Sequence, residues 1–505
     1  WLMSDRAIPR SFRMMEGFGV NTFKLINEQG ESRFVKFHWK PLLGVHSLVW
    51  DEAQKLAGTN SDFHRKDLFD AIDNGNYPEY ELGLQVIEPE DEFKFDFDIL
   101  DPTKLWPEEV IPVQKIGKMT LNRNVTNFFA ETEQAAFCPA NIVPGIDFSN
   151  DPLLQGRLFS YLDTQLIRLG GPNFQEIPIN RPVAPVFNNQ RDGYHRMAVD
   201  MGIVSYFPNT LQENEPHTAR EGESAFSFHQ EKVEGAKIRM RSESFTDFYS
   251  QAALFWNSMS VAEKKHIIDA FAFEVGNVMN NEIRQRVVDM FNNVDGDLAS
   301  QIAEKIGAVA PQQPIKSDNS ITSPALSQTN TPKSPATRKI AVLIEKGFDK
   351  AETASVLNAI KQANICFDVI SSKLGPVQSS DGKKMPASKS FLTAASLNYD
   401  GVYIPGGRKS RAALGENGDA LHFVKEAFKH CKTLAASNDG VDLVSDSGIS
   451  GVMLAQTDNK GKTISDCGII TVRNTKMMTE FSAEIIKALS LHRHWCRENI
   501  KDITP

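Results

Sequence analysis

An arginine and a tyrosine four residues apart, Arg157 and Tyr161, form the pair in this sequence best suited to holding a metal ion. Side chains at positions i and i+4 of a helix lie on one face, so the two can touch. A tyrosine binds ferric iron as the phenolate, and an adjacent guanidinium stabilises that anion because it is always charged. The pair is therefore chemically suited to an iron ligand, but on spacing alone a packing or cation–π pair is the favoured interpretation.

The surrounding sequence predicts the helix that would carry this pair. Asp151 followed by Pro152 is a helix start, with the aspartate as N-cap and the proline as first helical residue. Thr164 and Gln165 lie three and four residues beyond the tyrosine and continue the same helical face. One face of a single helix thus presents the arginine, the tyrosine and two further polar groups.

The first part of the chain is typical of an α+β domain. Segments 22–27 and 33–40 flank a turn and predict a β-hairpin, and residues 80–86 alternate as in a half-buried strand. From residue 244 to about 306 the apolar spacing becomes helical. A β-rich body followed by a helical layer is therefore expected.

A linker is predicted at residues 308–338, which are rich in Pro, Ser, Thr, Asn and Gln and carry little apolar surface to offset the entropy of ordering. After it, strands at 339–345, 365–371 and 399–407 alternate with helices at 351–362 and 418–430, which indicates a doubly wound parallel sheet. The predicted domains are 1–243, the helical unit 244–307, the linker 308–338 and an α/β domain 339–505.

Composition and charge narrow the class of protein. The net charge is −9, spread along 505 residues, which argues against nucleic acid or an anionic membrane as a partner. Five cysteines, odd in number and without a CxxC pair, predict neither a disulfide framework nor a structural zinc site. A reducing compartment, the cytoplasm, is the simplest expectation.

The string RLFSYLDTQ at residues 157–165 closely resembles the proximal haem-ligand signature of haem catalases. Further catalase-like segments follow the family's order, and the linker with its α/β domain resembles the large-subunit branch. These segments are 5–10 (DRAIPR), 36–39 (KFHW), 117–124 (GKMTLNRN), 128–131 (FFAE), 133–137 (EQAAF) and 190–193 (QRDG). The resemblance implies the catalase antiparallel β-barrel with its helical domain.

The resemblance also implies a haem site, with haem b or a modified d-type haem and its iron as cofactor. Tyr161 would be the axial iron ligand and Arg157 would hydrogen-bond its oxygen. Residues packed against the haem would be Val20, Phe137, Leu153, Thr164 and Gln165.

A proximal network behind the tyrosine is a second implication. Asp151 corresponds to the family's aspartate, but the position where many catalases have histidine is Asn21. An amide can form hydrogen bonds but cannot carry a proton, so relay through this network is in doubt. A polar residue at the start of a strand is an equally good account of Asn21.

The implied activity is dismutation of hydrogen peroxide to water and oxygen by a homotetrameric oxidoreductase of the oxidative stress response. Other peroxide chemistry on a catalase fold is one alternative, and an inactive remnant is another. The family's distal histidine and asparagine lie upstream of the segment that begins at Asp5, so both are expected before Trp1, in an N-terminal part absent from this sequence. Residues 1–505 alone are expected to fold poorly, and His38, His46 and His64 are interpreted as structural.

The C-terminal domain is interpreted as a non-catalytic unit with a role in stability or assembly. Residues 403–407 (YIPGG) resemble class I glutamine-amidotransferase-like or flavodoxin-like domains, whose catalytic members carry a cysteine at a strand-to-helix elbow. The matching place here is 435–440 (AASNDG), which has no cysteine. Cys431, on the preceding helix, is interpreted as a core residue.

Overall fold

The structure is a computed structural model that describes residues 1–184, 191–217, 228–232, 234–236, 238–318, 322–457, 461–498 and 500. Gln190 of the 190–193 motif lies outside the described residues. So do 319–321 of the predicted linker, and 458–460, 499 and 501–505 of the C-terminal domain.

An antiparallel sheet of six strands forms the first part of the chain, in the order β5-β4-β3-β2-β6 with β1 paired to β3. The predicted hairpin is confirmed, since Phe23 pairs with Val35 across β2 and β3. The strands are β1 (Gly17–Phe18), β2 (Phe23–Ile26), β3 (Ser32–Pro41), β4 (Glu79–Ile87), β5 (Gln114–Thr120) and β6 (Ile146–Phe148).

Seven helices accompany this sheet among the described residues, and the last four form the predicted helical layer. They are α1 (Trp50–Thr59), α2 (Phe63–Asp73), α3 (Pro152–Arg168), α4 (Ser250–Ser258), α5 (Val261–Gly276), α6 (Asn281–Phe291) and α7 (Gly296–Ile306). Apolar side chains from α4 to α7, among them Trp256, Ile268, Val288 and Ile302, bury one another in a common core. The α+β plan is confirmed.

The C-terminal domain is a seven-stranded sheet in the order β11-β8-β7-β12-β13-β15-β14, parallel except for β14. Its strands are β7 (Lys339–Leu343), β8 (Cys366–Ser371), β9 (Gly375–Gln378), β10 (Lys384–Ala387), β11 (Lys389–Ser390), β12 (Gly401–Ile404), β13 (Thr433–Ser437), β14 (Ile464–Asp466) and β15 (Ile469–Val472), with β9 and β10 forming a separate hairpin. Its helices are α8 (Lys350–Gln362), α9 (Arg408–Gly415), α10 (Gly418–Lys429), α11 (Asp439–Asp446) and α12 (Met478–Ser490).

Both faces of this sheet are covered, as the predicted doubly wound fold requires. Along β7, Ile340 and Val342 belong to one apolar cluster, whereas Ala341 and Leu343 belong to another on the opposite face. Alternate side chains of a strand point to opposite faces, so continuous apolar runs are typical of strands buried on both sides. The α/β prediction is confirmed.

The predicted linker is more ordered than its composition suggested. Within it, residues 322–338 include two 3₁₀ turns, Pro324–Leu326 and Gln328–Asn330, and Arg338 is fully buried. Leu326 joins the apolar core of the helical layer, and hydrogen bonds add to this contact. Ser327 Oγ donates to Glu263 over 2.7 Å, and Gln328 Nε2 lies 2.6 Å from Ser47 Oγ. Polar partners elsewhere in the fold offset the ordering entropy that composition alone could not.

The cysteine prediction was wrong in one respect, because Cys467 and Cys496 form a disulfide bond with Cα atoms 6.0 Å apart. Cys467 lies in the turn before β15, and Cys496 lies in the 3₁₀ turn Trp495–Arg497 beyond α12. The two are 29 residues apart in sequence and meet through sheet topology, so no local pattern marks them. Cys138, Cys366 and Cys431 remain free thiols.

Buried ion pairs dock the C-terminal domain onto the first part of the chain. Glu52 of α1 is 0% exposed and accepts from Lys432 over 2.6 Å and from Arg493 over 2.5 Å. Arg10 binds Asp400 over 2.8 Å in the same interface. Burial opposes the charged form of Glu52, but the two cations outweigh it and lower the pKa of this carboxyl to about 2.

We expect Glu52→Gln to destabilise the docked protein by about 3–5 kcal/mol, because two buried cations lose their carboxylate. The contribution of ionised Glu52 is complete above its ordinary pKa of 4.5 and is lost as the pH falls towards 2. Thermal unfolding between pH 3 and pH 7 measures both effects. Glu88→Gln, which breaks an exposed pair with Arg33, is the control and is expected to cost less than about 1 kcal/mol. Equal losses in the two variants would contradict this account.

Candidate functional site

Helix α3 begins at the predicted cap. The Asp151 carboxylate accepts hydrogen bonds from the backbone N–H groups of Leu153 and Leu154, over 2.8 and 3.0 Å, and Pro152 is the first helical residue. This bonding satisfies two of the four N–H groups that a helix leaves unpaired at its start. Asp151 is 1% exposed, so the cap also fixes how the helix enters the site.

The arginine and tyrosine meet on one face of α3. Arg157 Nη2 donates to Tyr161 Oη over 2.6 Å, and the guanidinium carbon lies 4.6 Å from the phenol ring centroid. Both the hydrogen-bonded pair and the cation–π pair considered from the sequence are therefore present. Within the described residues, Arg157 is the hydrogen-bond partner of the phenol oxygen, and it donates, which leaves that oxygen free to act as a donor atom towards a metal.

A hydrogen-bonded chain continues from the arginine to the helix cap. Arg157 Nη1 donates to Asn21 Oδ1 over 2.5 Å, and Asn21 Nδ2 donates to Asp151 Oδ2 over 2.8 Å. Asn21 lies between β1 and β2 and is 3% exposed. The structure thus links Tyr161, Arg157, Asn21 and Asp151 in one line, with a carboxylate at its end.

The other predicted site residues lie around this line. Gln165 is buried and donates from Nε2 to the backbone oxygen of Phe137 over 3.2 Å, while Thr164 is exposed. Val20 precedes Asn21, and Leu153 lies one turn before Arg157 on α3. Val20, Leu153 and Phe137 are 49%, 48% and 80% exposed, which is high for apolar side chains.

The three histidines interpreted as structural each make a hydrogen bond or a ring contact within the fold. His38 Nε2 lies 2.7 Å from Gln85 Oε1, and burial lowers the pKa of its ring. His64 Nε2 lies 2.7 Å from the backbone oxygen of Pro9. The His46 ring contacts the His492 ring in a tilted arrangement with centroids 4.9 Å apart, and burial lowers the pKa of His46 to about 2.

The strand-to-helix elbow of the C-terminal domain is occupied by Asn438, between β13 and α11. Its backbone has φ 46° and ψ −116°, a strained conformation typical of nucleophile elbows. Glu352, which the sequence analysis missed, contacts the Asn438 amide and accepts from Ser437 Oγ over 2.9 Å, and burial raises the pKa of this carboxyl. A glutamate in the first turn of a helix is an ordinary feature of sequence, so nothing local distinguishes it.

Three family models match the chain: Catalase over residues 1–213, Catalase-related immune-responsive over 242–306, and DJ-1/PfpI family over 338–488. The protein therefore belongs to the class of catalase-type oxidoreductases with an additional C-terminal α/β domain.

Among the helices of the described residues, none is long and apolar enough to cross a membrane.

Named relatives resemble the chain over nearly its whole length. It is 58% identical to Catalase-2 of Bacillus subtilis over 497 residues, which cover 98% of this chain and 70% of that protein. It is 48% identical to Catalase HPII of Pseudomonas putida over 515 residues, 100% of this chain and 69% of that protein. Identity to Catalase-1 of Neurospora crassa is 45% over 515 residues, 99% and 69% of the two chains. The chain belongs to the catalase family.

Proposed function

We propose that this protein dismutates hydrogen peroxide to water and oxygen at a haem whose iron is bound by Tyr161. The observation that carries the proposal is the line of hydrogen bonds from Tyr161 through Arg157 and Asn21 to Asp151. In this line the positively charged Arg157 guanidinium donates to the phenol oxygen, and Asn21 connects that guanidinium to the buried Asp151 carboxylate. Such second-layer contacts orient a metal ligand and set its basicity.

The residues present fit a haem group. The phenol oxygen supplies a donor atom suited to ferric iron. The exposed apolar surfaces of Val20, Phe137 and Leu153 would contact an apolar macrocycle, and Gln165 would line its edge. When bound, haem iron supplies the two-electron redox change that breaks the peroxide O–O bond.

The roles of the side chains follow from their contacts. Arg157 stabilises the phenolate, since its guanidinium stays charged and donates directly to the oxygen. Asn21 holds Arg157 in place and transmits no proton, because an amide keeps both its hydrogens. Moving a proton between the peroxide oxygens needs a general acid–base group in front of the iron, for which the family resemblance implies a distal histidine aided by an asparagine.

We expect Asn21→Ala to weaken haem retention, because it leaves Arg157 Nη1 and Asp151 Oδ2 without their buried partner. The cost of unpaired buried groups is about 1–3 kcal/mol, which corresponds to roughly tenfold to hundredfold faster haem loss. Transfer of haem to apomyoglobin measures this rate without reference to turnover. Asn281→Ala, at the exposed start of α6, is the matched control. Haem loss from Asn21→Ala at the control rate would mean that Asn21 is only a polar residue at a strand start.

Oxygen evolution tests the proposed function directly. The purified haem-containing protein is expected to release one oxygen molecule for each two peroxide molecules consumed, as recorded with an oxygen electrode. Rearrangement of an organic peroxide without oxygen release would favour the other peroxide chemistry. Full haem content with neither reaction would reject the proposed function.

We further propose that the protein acts as a homotetramer in the cytoplasm during oxidative stress. Helix α3 supports self-association, because beyond the site it exposes Phe159, Leu162, Leu166 and Ile167, with Phe159 69% and Ile167 78% exposed. Large exposed apolar patches mark surfaces that other proteins cover. Light scattering is expected to give four times the chain mass, and a monomer at micromolar concentration would reject the tetramer.

A further inference from the structure

A short segment near the C-terminus, residues 492–498, joins the C-terminal domain to the catalase body, and we call it the clamp. His492 Nε2 lies 2.8 Å from the backbone oxygen of Ser47, and Arg493 binds Glu52 over 2.5 Å. Glu498 accepts from Lys265 over 2.9 Å and lies 2.8 Å from His266 Nε2. Seven residues thus contact both the start of α1 and helix α5.

The contact with α5 is ionic at neutral pH. Burial disfavours a charged ring at His266, but hydrogen bonds to Asp5 and Glu498 outweigh it and raise the pKa of this histidine to about 10. Trp495 packs on the same ring with centroids 4.8 Å apart. The clamp therefore does not loosen through titration of His266 near neutrality.

The clamp is fastened to its own domain by the disulfide. Cys496 lies in the middle of the clamp, and Cys467 lies in the turn that leads into β15. Cys496 is exposed and Cys467 is half-buried, so the disulfide lies at the surface of the domain. The Cα separation of 6.0 Å is ordinary for a disulfide, so closing the bond needs no large backbone movement.

We propose that Cys467 and Cys496 are a redox-active pair that hydrogen peroxide itself oxidises, and that the disulfide fixes the clamp in its docked position. One thiol of the pair loses its proton, and the thiolate attacks one peroxide oxygen; the O–O bond breaks, a sulfenic acid and a hydroxide form, and the hydroxide takes up the released proton to give one water. The second thiol then attacks that sulfur, the S–S bond forms, the S–O bond breaks and a second water leaves. The two thiols lose two electrons and the peroxide gains them. A dithiol reductant reverses the oxidation by thiol–disulfide exchange.

This oxidation needs no haem, so it is separable from the proposed function. The disulfide reduces the number of conformations that the clamp can adopt when it is undocked, because it cross-links two residues 29 positions apart in the chain. High peroxide would therefore favour the docked domain, in which Glu52 is paired. Reducing conditions would favour transient undocking.

Alkylation of thiols tests the redox step. Protein treated with dithiothreitol is desalted, exposed or not exposed to hydrogen peroxide, and alkylated before peptide mass spectrometry. We expect peroxide to protect Cys467 and Cys496 from alkylation and to join their peptides, in holo-protein and haem-free protein alike. If both cysteines stay open to alkylation after peroxide, the proposal fails even when oxygen evolution is normal.

Hydrogen exchange tests the mechanical step. Reduction of the wild type is expected to speed exchange about tenfold or more at 492–498 and around His266, since the cross-link restricts the undocked state by at least that factor. Cys467→Ser and Cys496→Ser should show the fast rate with or without reductant, and Cys366→Ser, which changes a free thiol, should behave as wild type. Reductant-dependent exchange in the serine variants, or none in the wild type, would overturn the proposal.

A further variant guards against misfolding of the serine variants. Glu498→Gln keeps both cysteines but removes the charge that holds the clamp on α5. We expect it to form the disulfide normally and to exchange faster at the clamp even when oxidised. Exchange equal to that of the oxidised wild type would show that these contacts do not hold the domain.

Discussion

We expect Tyr161→Phe to yield folded protein that retains no haem and evolves no oxygen. A phenyl ring has no donor atom for iron, whereas Arg157 keeps its hydrogen bond to Asn21, so the local fold survives the change. The loss of haem affinity and of activity should exceed about 100-fold, because removing only a hydrogen-bond partner of a metal ligand already costs up to that factor. The haem-to-protein ratio from the pyridine haemochromogen spectrum measures it.

The control for this variant is Tyr77→Phe, which alters a tyrosine that is 48% exposed and lies between α2 and β4. It should keep the haem content and the oxygen evolution of the wild type. Circular dichroism establishes that the Tyr161→Phe protein is folded. A wild-type haem ratio and spectrum in folded Tyr161→Phe would show that another residue binds the iron.

We expect Arg157→Leu to bind haem but to lose it roughly tenfold to hundredfold faster than the wild type. The variant removes a hydrogen bond from a charged donor, which is worth about 1.5–3 kcal/mol, and every 1.4 kcal/mol is about a factor of ten. The phenolate loses its nearest positive charge, so the ferric state loses stabilisation and the iron potential should rise. Haem transfer kinetics and spectroelectrochemistry measure the two effects.

Arg157→Lys separates charge from geometry. A lysine keeps the positive charge, but its single ammonium group does not reproduce the fork that bonds Tyr161 and Asn21 together. We expect an intermediate rate of haem loss. Arg65→Leu, at an exposed position on α2, is the control for loss of an arginine. Arg157→Leu that keeps the wild-type potential and haem retention would contradict the phenolate argument.

The part of the site carried by α3 could be predicted because it is local. Asp151 and Pro152 mark the helix start, and the spacing of Arg157 and Tyr161 fixes their common face, so each inference needed only neighbouring residues. The contact of Asn21 with Asp151 joins positions 130 residues apart. Its place in the network came from the family resemblance, because spacing alone also allowed an ordinary strand-start residue.

Other features depend on the tertiary fold and left no local signal. Cys467 and Cys496 meet because the turn before β15 lies near the end of α12, which neither sequence neighbourhood shows. The ordered linker depends on partners such as Glu263 and Ser47, which lie far away in the chain. The composition of a segment indicates how much apolar surface the segment can bury. It does not indicate which hydrogen-bond partners distant parts of the chain provide.

Anomalous diffraction at the iron absorption edge, from crystals of the purified haem-containing protein, tests the central claim most directly. The method locates iron independently of how the surrounding residues are interpreted. The account predicts one iron peak per chain at bonding distance from Tyr161 Oη, with Arg157 still donating to that oxygen. An iron peak bonded to any other side chain, or haem density with Tyr161 Oη turned away from the metal, would contradict it.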